Sequence, residues 1–315
     1  TARSTDESGA KVTNWGLYAY DQISLNERWD IAAGLRYDSY RVKWYGPTGA
    51  RLADEQSDGL WSGRVGLVYK PADNGSIYVS YSEASQPSAA AAASRSGGGS
   101  TTANYSPGKA KTWELGTKWD LLDEKLALTG ALFQVERSNP SDTDEFNVVT
   151  QTSAKERVRG IELGLAGSIT PSWSLYGGLT VMDSKVLDNA EEPWQEGGKM
   201  KNVPNVTFNV WSNYTFDDRW DAGLGAQYVG KRRFVAGNTV SGEGGHSADV
   251  TMPSFWLFNA AVGYTVNKNL SLRLNVNNIF DEFYLARGTS SSDGFQLYGV
   301  PGAGRTFVLN AEARF

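Results

Sequence analysis

His246 is the one histidine in the 315 residues, and the chain contains no cysteine. It sits in the run Gly244-Gly245-His246-Ser247. A general base or metal ligand needs a partner. With no second His and no Cys, His246 reads as a solvated loop residue, and no thiolate site, disulfide framework or Ser–His–Asp set exists. Asp188, Glu191 and Glu192 are oxygen ligands by type, but their spacing lacks the pattern of a calcium loop, so they read as loop solubilisers. Gly225, Gly230, Gly242, Gly244 and Gly245 do not follow a strand and open a helix, as a phosphate loop must. The expectation is a protein that is not an enzyme and holds no cofactor or metal.

The elements that carry these residues are strands. Hydrophobic residues make up 40% of the chain, mean hydropathy is −0.42, and no apolar run approaches the about 20 residues of a spanning helix. Alternation with period two is the dominant signal. Trp29, Ile31, Ala33, Leu35 and Tyr37 oppose Asp30, Gly34, Arg36 and Asp38. Leu270, Leu272, Leu274 and Val276 oppose Ser271, Arg273, Asn275 and Asn277. Trp61 to Tyr69 and Trp220 to Tyr228 repeat the pattern. The polar face carries charges, while the apolar face often ends in Trp or Tyr. Aromatics reach 12%, with 11 Trp and 15 Tyr. A greasy face meeting lipid and a wet interior explain all of this; the competing reading is a large soluble all-β protein. The net charge of −5 and scattered Lys and Arg argue against a nucleic-acid partner.

The pattern predicts about thirteen strands: 12–24, 28–45, 60–71, 75–84, 110–122, 125–138, 149–168, 172–186, 201–216, 219–236, 252–266, 269–285 and 304–315. Short connections, such as Asp123-Glu124-Lys125 and Thr170-Pro171-Ser172, alternate with long ones at 46–59, 85–109, 139–148, 187–200, 237–251 and 286–303. In an outer-membrane barrel the short side is periplasmic and the long side extracellular. Residues 86–107, rich in Ala, Gly and Ser, read as a mobile external loop or a linker. With thirteen strands, the first and last both run toward the short-turn side and cannot pair antiparallel. Unpaired edges are costly in lipid. The expectation is therefore that residues 1–315 form a single domain that is an incomplete, C-terminal part of a barrel.

Several stretches then resemble the siderophore-type TonB-dependent receptors of Gram-negative outer membranes. They are Ser76–Glu83 (SIYVSYSE), Ala110–Asp120 (AKTWELGTKWD), Leu126–Asn139 (LALTGALFQVERSN), Arg159–Leu165 (RGIELGL), Lys199–Phe216 (KMKNVPNVTFNVWSNYTF), Gln227–Arg233 (QYVGKRR), Asn275–Tyr284 (NVNNIFDEFY) and Leu297–Phe315 (LYGVPGAGRTFVLNAEARF). The family usually carries Pro-Arg in its last loop, where this chain has Pro301-Gly302-Ala303-Gly304-Arg305. The resemblance implies an all-β antiparallel transmembrane β-barrel of 22 strands, of which these are the last thirteen, with a plug domain not in this chain. It implies import of a ferric siderophore, with a lean to the catecholate type, energised by the TonB complex through that plug and by the inner-membrane proton gradient.

A ferric siderophore is large, polar and often aromatic, so its site wants aromatic and cationic side chains on the long-loop side. The candidates are Trp44, Tyr45, Tyr105, Trp194, Arg232, Arg233, Phe234, Arg287, Phe295 and Tyr298. For each, girdle or loop packing is the plainer role. Phe307, Leu309 and Phe315 lie on one face of the last strand and read as a signal for the outer-membrane assembly machinery by strand pairing. Arg36, Arg64, Glu114, Lys118, Glu162 and Arg273 point inward, toward water or a plug. Lipopolysaccharide is the expected surrounding lipid. Two other functions fit such a barrel: a passive porin-like diffusion channel, and an adhesin or phage-binding barrel.

Overall fold

The computed structural model describes residues 9–45, 51–87, 106–139, 141–143, 149–151, 154–190, 192–234, 250–290 and 297–314. Its strands are β1 (Gly9–Asn26), β2 (Trp29–Tyr45), β3 (Arg51–Ala72), β4 (Gly75–Gln86), β5 (Gly108–Leu121), β6 (Leu126–Ser138), β7 (Ser141–Thr143), β8 (Val149–Gln151), β9 (Lys155–Thr170) and β10 (Trp173–Asp188). There follow a 3-10 turn, η1 (Pro193–Gln195), then β11 (Val206–Thr215), β12 (Trp220–Val229), β13 (Arg232–Arg233), β14 (Thr251–Met252), β15 (Phe255–Asn267), β16 (Leu270–Asn277), β17 (Leu285–Ser290), β18 (Leu297–Pro301) and β19 (Thr306–Ala313). Thirteen strands form one sheet in the order β1-β2-β3-β4-β5-β6-β9-β10-β11-β12-β15-β16-β19. All its pairs are antiparallel.

The expected count of thirteen holds. Several ends differ, each for a local reason. The expected strand 149–168 is two pieces, because Val149–Gln151 pairs with Ser141–Thr143 in a separate hairpin. The expected strand 201–216 starts at Val206, after Asn202 at φ 59 and the N–H-free Pro204. Strand 269–285 stops at Asn277, because Asn278 turns into the left-handed region at φ 51. The long connection 286–303 carries the hairpin of β17 and β18, and β3 reaches into the expected loop 46–59.

Register lines up the two faces across the whole sheet. Leu67, Val79, Leu115, Leu132, Ile161 and Val181 stand opposite one another in one row. This face is exposed: Trp61 at 58%, Leu224 at 66% and Leu132 at 52%. So much contiguous apolar surface marks a lipid-facing wall. Its borders are aromatic. Toward the short turns Trp29 packs on Tyr69 at 4.6 Å and Trp220 on Tyr264 at 4.3 Å. Toward the long loops Tyr37 packs on Trp61 at 5.0 Å and Tyr228 on Trp256 at 4.9 Å. Trp220 and Tyr228 lie on one strand, about 26 Å apart at about 3.3 Å per residue. Strand tilt shortens this to about 20 Å of depth, close to the apolar band of an outer-membrane barrel.

The opposite face is ionic. Arg36 donates to Asp38 at 2.6 Å and Arg273 to Asp221 at 3.0 Å. Tyr78 Oη donates to Glu114 at 2.5 Å. The turns between paired strands are tight and capped by side chains. Asp217 Oδ1 accepts the amides of Arg219 and Trp220, both at 2.8 Å, and Asn267 Oδ1 accepts that of Asn269 at 2.9 Å. The opposite rim carries the long connections, hereafter the loop rim.

Candidate functional site

At the loop rim three connections are stitched into one platform. Arg232 opens β13 and is 7% exposed. Its Nη1 donates to the Ala286 carbonyl at 2.7 Å and its Nη2 to that of Leu285 at 2.5 Å. The guanidinium lies over the Phe255 ring at 5.4 Å. Burial pushes its pKa down from the usual arginine value. Asn202 adds a second clasp, reciprocal with Gly288: its Nδ2 donates to the Gly288 carbonyl, and the Gly288 amide donates to its Oδ1, both at 2.9 Å. The Asn202 amide donates to the Arg233 carbonyl at 2.9 Å. Asn tolerates the left-handed conformation this requires.

Beneath these clasps Phe234, Met252 and Phe255 are buried, and Phe255 stacks on Tyr284 at 4.5 Å. Residue 288 must be glycine, since a Cβ there would lie 2.5 Å from Phe234 Cδ1. The base of the last loop is held by Asn278, 4% exposed. It donates to the carbonyls of Glu282 at 2.9 Å and Ala303 at 3.2 Å, and accepts the Glu282 amide at 2.9 Å. Asp281 accepts the Arg305 amide at 2.7 Å, and Arg305 Nη1 donates to the Ile279 carbonyl at 3.3 Å. Thus the arginine of the Pro301–Arg305 stretch closes this loop onto the Asn275–Tyr284 segment.

The platform encloses a cavity of about 170 Å³ lined by Met182, Ser184, Lys199, Lys231, Arg232 and Arg233, among others. Lys199 is ion-paired with Asp183. So many cations around one recess favour an anionic guest. Of the expected site residues, the structure groups Arg232, Arg233 and Phe234 on or beside β13 and Arg287 on β17. Tyr298, on β18, is 47% exposed and pairs with Thr289. Arg232 and Phe234 serve the platform from within, as clasp and buried packing. Trp194 is half-buried on η1, in a loop braced by Asn189, whose amide donates to Glu196 at 3.2 Å. Trp44 and Tyr45 lie at the rim end of β2, pairing with Ala10 and Gly9, far along the sheet from β13. Tyr105, Phe295, His246 and Phe315 lie outside the described residues. Sequence reading missed Asn202, Asn278 and Lys199 as site-building residues. The available signal was Asn beside a strand end in Asn202-Val203-Pro204 and Asn277-Asn278.

Among the described residues no group of three or more His, Cys, Asp or Glu side chains is placed to hold a metal ion.

The family model that matches the chain is described as TonB dependent receptor-like, β-barrel, and covers residues 1–279. BfrD of Bordetella pertussis, named for the TonB-dependent receptors, is 36% identical over 93% of this chain and 39% of its own length. The catecholate siderophore receptor Fiu of Escherichia coli K12 is 29% identical over 99% of this chain and 43% of its own. The crystal structure of Fiu in its closed form superposes with a TM-score of 0.78 at 28% identity, over 98% of this chain and 45% of that one. The siderophore receptor PiuA of Acinetobacter baumannii gives 0.78 at 29% identity, over 97% and 43%. The chain spans about two fifths of the length of these curated relatives. The sheet with its lipid-facing girdles, its ionic inner face and its elaborated loop rim is accordingly an outer-membrane barrel wall, and the chain belongs to the TonB-dependent receptor-like β-barrel family.

Proposed function

We propose that this chain forms the C-terminal part of the wall of a receptor that imports a ferric siderophore of the catecholate type. A ferric catecholate is anionic and aromatic. The observation that carries the reading is the cationic recess to which Lys231, Arg232 and Arg233 contribute, held between clasped loops on one rim. Relatives named as catecholate and siderophore receptors support the same class of cargo. In this reading the loop rim faces outward and the short turns face the periplasm. Uptake is driven by the TonB complex acting on a plug domain, and the sheet is part of a larger closed barrel. Phe307 and Leu309, at 66% and 69% exposure on one face of β19, present the strand that the assembly machinery pairs with.

The test uses the full-length protein. Binding is followed by quenching of tryptophan fluorescence with a ferric catecholate, and uptake with radiolabelled iron. Expected are saturable binding that survives a protonophore and uptake that does not. The double change Lys231→Gln with Arg233→Gln is expected to weaken binding about tenfold, as loss of charge-assisted contacts does. Unaltered binding of that variant, or iron uptake indifferent to the protonophore, overturns the reading. Steady open-channel conductance in planar bilayers would point to a diffusion channel instead.

A further inference from the structure

A buried charge is ordinarily paired, because water is no longer there to hold it. Arg232 lacks that pairing. It is 7% exposed, and its partners are the neutral carbonyls of Leu285 and Ala286 and the ring of Phe255. Its Nε is buried with no hydrogen-bond partner. Among the described residues no carboxylate pairs with it, and Asp183, the acid nearest in the chain to the recess, is shared by Lys199 and Arg159. Two carbonyl dipoles and a ring soften a guanidinium charge without cancelling it.

The recess beside it has the size and lining of a counter-ion site. Three pieces of chain bound it: the upper end of β10 at Met182 and Ser184, the 199–205 segment, and the Lys231–Arg233 run with Thr251. None of its described lining residues is acidic. Lys231 is exposed and makes no ion pair among the described residues. Ser184 is 5% exposed. Its Oγ accepts the Met200 amide at 3.2 Å, and its own O–H meets no acceptor among the described residues, so a buried donor is left over. The volume is about 170 Å³. At about 30 Å³ per water this holds about six waters, or one oxyanion with part of its shell. Pockets that take a whole drug-sized ligand run to about 300–1,000 Å³, so the iron centre of a chelate stays outside.

We infer that this recess is a site for one small oxyanion, of the carboxylate or phosphate class, which acts as counter-ion to Arg232 and ties the three bounding pieces of chain together. Lys231 draws the anion in, and the Ser184 hydroxyl donates to it. With the anion in place, the guanidinium keeps its hold on Leu285 and Ala286, and the neighbouring clasp of Asn202 and Gly288 opens less often. Two sources supply such a group: the acid on one arm of the cargo, or a free anion from the medium. The first rests on the proposed uptake of a ferric catecholate; the oxyanion site itself does not.

The test takes the full-length receptor in mild detergent. Hydrogen exchange at the Gly288 amide, which donates to Asn202, is compared in chloride, acetate and inorganic phosphate at equal ionic strength. Phosphate at about ten times its dissociation constant is expected to slow exchange about tenfold, the linkage for an anion that binds only the closed platform. Thr251→Asp adds a carboxylate to the lining; it should give slow exchange in chloride and remove the response to phosphate. Val203→Phe narrows the recess without changing its charge, and should remove the response alone. Heat-modifiable mobility on gels confirms that each variant is folded. The sources are separated with ferric complexes of a catecholate whose arm ends in a free carboxylate and of its methyl ester. Binding of the acid about tenfold above the ester, with phosphate competing only against the acid, assigns the site to the cargo's acid group. Equal binding that phosphate does not compete with, alongside slowed exchange, assigns it to the free anion. Exchange indifferent to phosphate and acetate, with acid and ester bound alike, overturns the site, as does a folded Thr251→Asp variant that still responds like the unaltered protein. Failure of both complexes to bind, with exchange still slowed by phosphate, overturns the cargo reading and upholds the oxyanion site.

Discussion

Single side chains at the strand ends hold this molecule's loops. Asn278 donates two hydrogen bonds to loop carbonyls and accepts one from the Glu282 amide within one buried side chain. Asn278→Ala leaves the Glu282 amide and two carbonyls without that partner. The expected cost is about 1–3 kcal/mol, read from urea unfolding in micelles, with faster hydrogen exchange at Glu282. A pH effect sits at Asp217. The amides of Arg219 and Trp220 hold its carboxyl below the usual value of 3.8. A carboxylate whose pKa is depressed on folding adds stability above its unfolded value and loses it as pH falls through the folded one. Hydrogen exchange at Arg219 and Trp220 is therefore expected to rise below about pH 4, the unfolded carboxylate range, and Asp217→Asn, which keeps the acceptor Oδ1, should flatten that response. Arg232 and Arg233 stood out in the sequence as adjacent cations at the long-loop end of the expected strand 219–236 and were expected to meet cargo. That Arg232 would spend its guanidinium on two carbonyls was not legible there, because its partners lie more than fifty positions away and meet it only in the folded rim.

Strands were the most legible elements, because period-two alternation is a local property of the chain. Their ends were less so. Alternation continues through Lys199–Phe216 and Asn275–Tyr284 in sequence, yet the backbone leaves the sheet where Asn202 and Asn278 adopt positive φ. The hairpins β13–β14 and β17–β18 were invisible to the pattern, being too short to show a period. Their docking depends on Gly288 beneath Phe234. Gly288→Leu is expected to lift β17–β18 off the platform, raising protease cleavage in 285–301 and weakening ferric catecholate binding about tenfold, while the sheet keeps its heat-modifiable mobility. Intact loops with unchanged cargo affinity in that variant would show the platform to be irrelevant to binding. On the wall, Leu163 is 50% exposed in the middle of the apolar band. Leu163→Lys places a charge in lipid and should cost about 2–4 kcal/mol, while a polar change at the inward neighbour Glu162 should cost far less.

At the scale of the whole sheet, strand parity decides what the edges can do. β1 runs into the short turn before β2, and β19 runs toward the same rim, with the Arg314 amide donating to the Asn269 carbonyl at 2.8 Å. The thirteen-strand order begins at β1 and ends at β19, and two strands of the same direction cannot be antiparallel partners. This was legible from the sequence, since an odd strand count with alternating loop lengths fixes the directions without any contact being known. In lipid, an open edge leaves a column of backbone groups with no partner; on the proposal that the sheet is part of a larger barrel, other strands cover both edges in the membrane. Disulfide trapping separates the arrangements. Leu274 and Leu309 are direct partners across β16 and β19, and a cysteine pair there should cross-link in native outer membranes. A pair at Leu17 and Leu309, on the two outer strands and both on the apolar face, should not. Efficient cross-linking of the second pair would mean that β1 and β19 touch, as in a sheet closed on itself with one parallel seam, and would overturn their placement as edges of a longer wall.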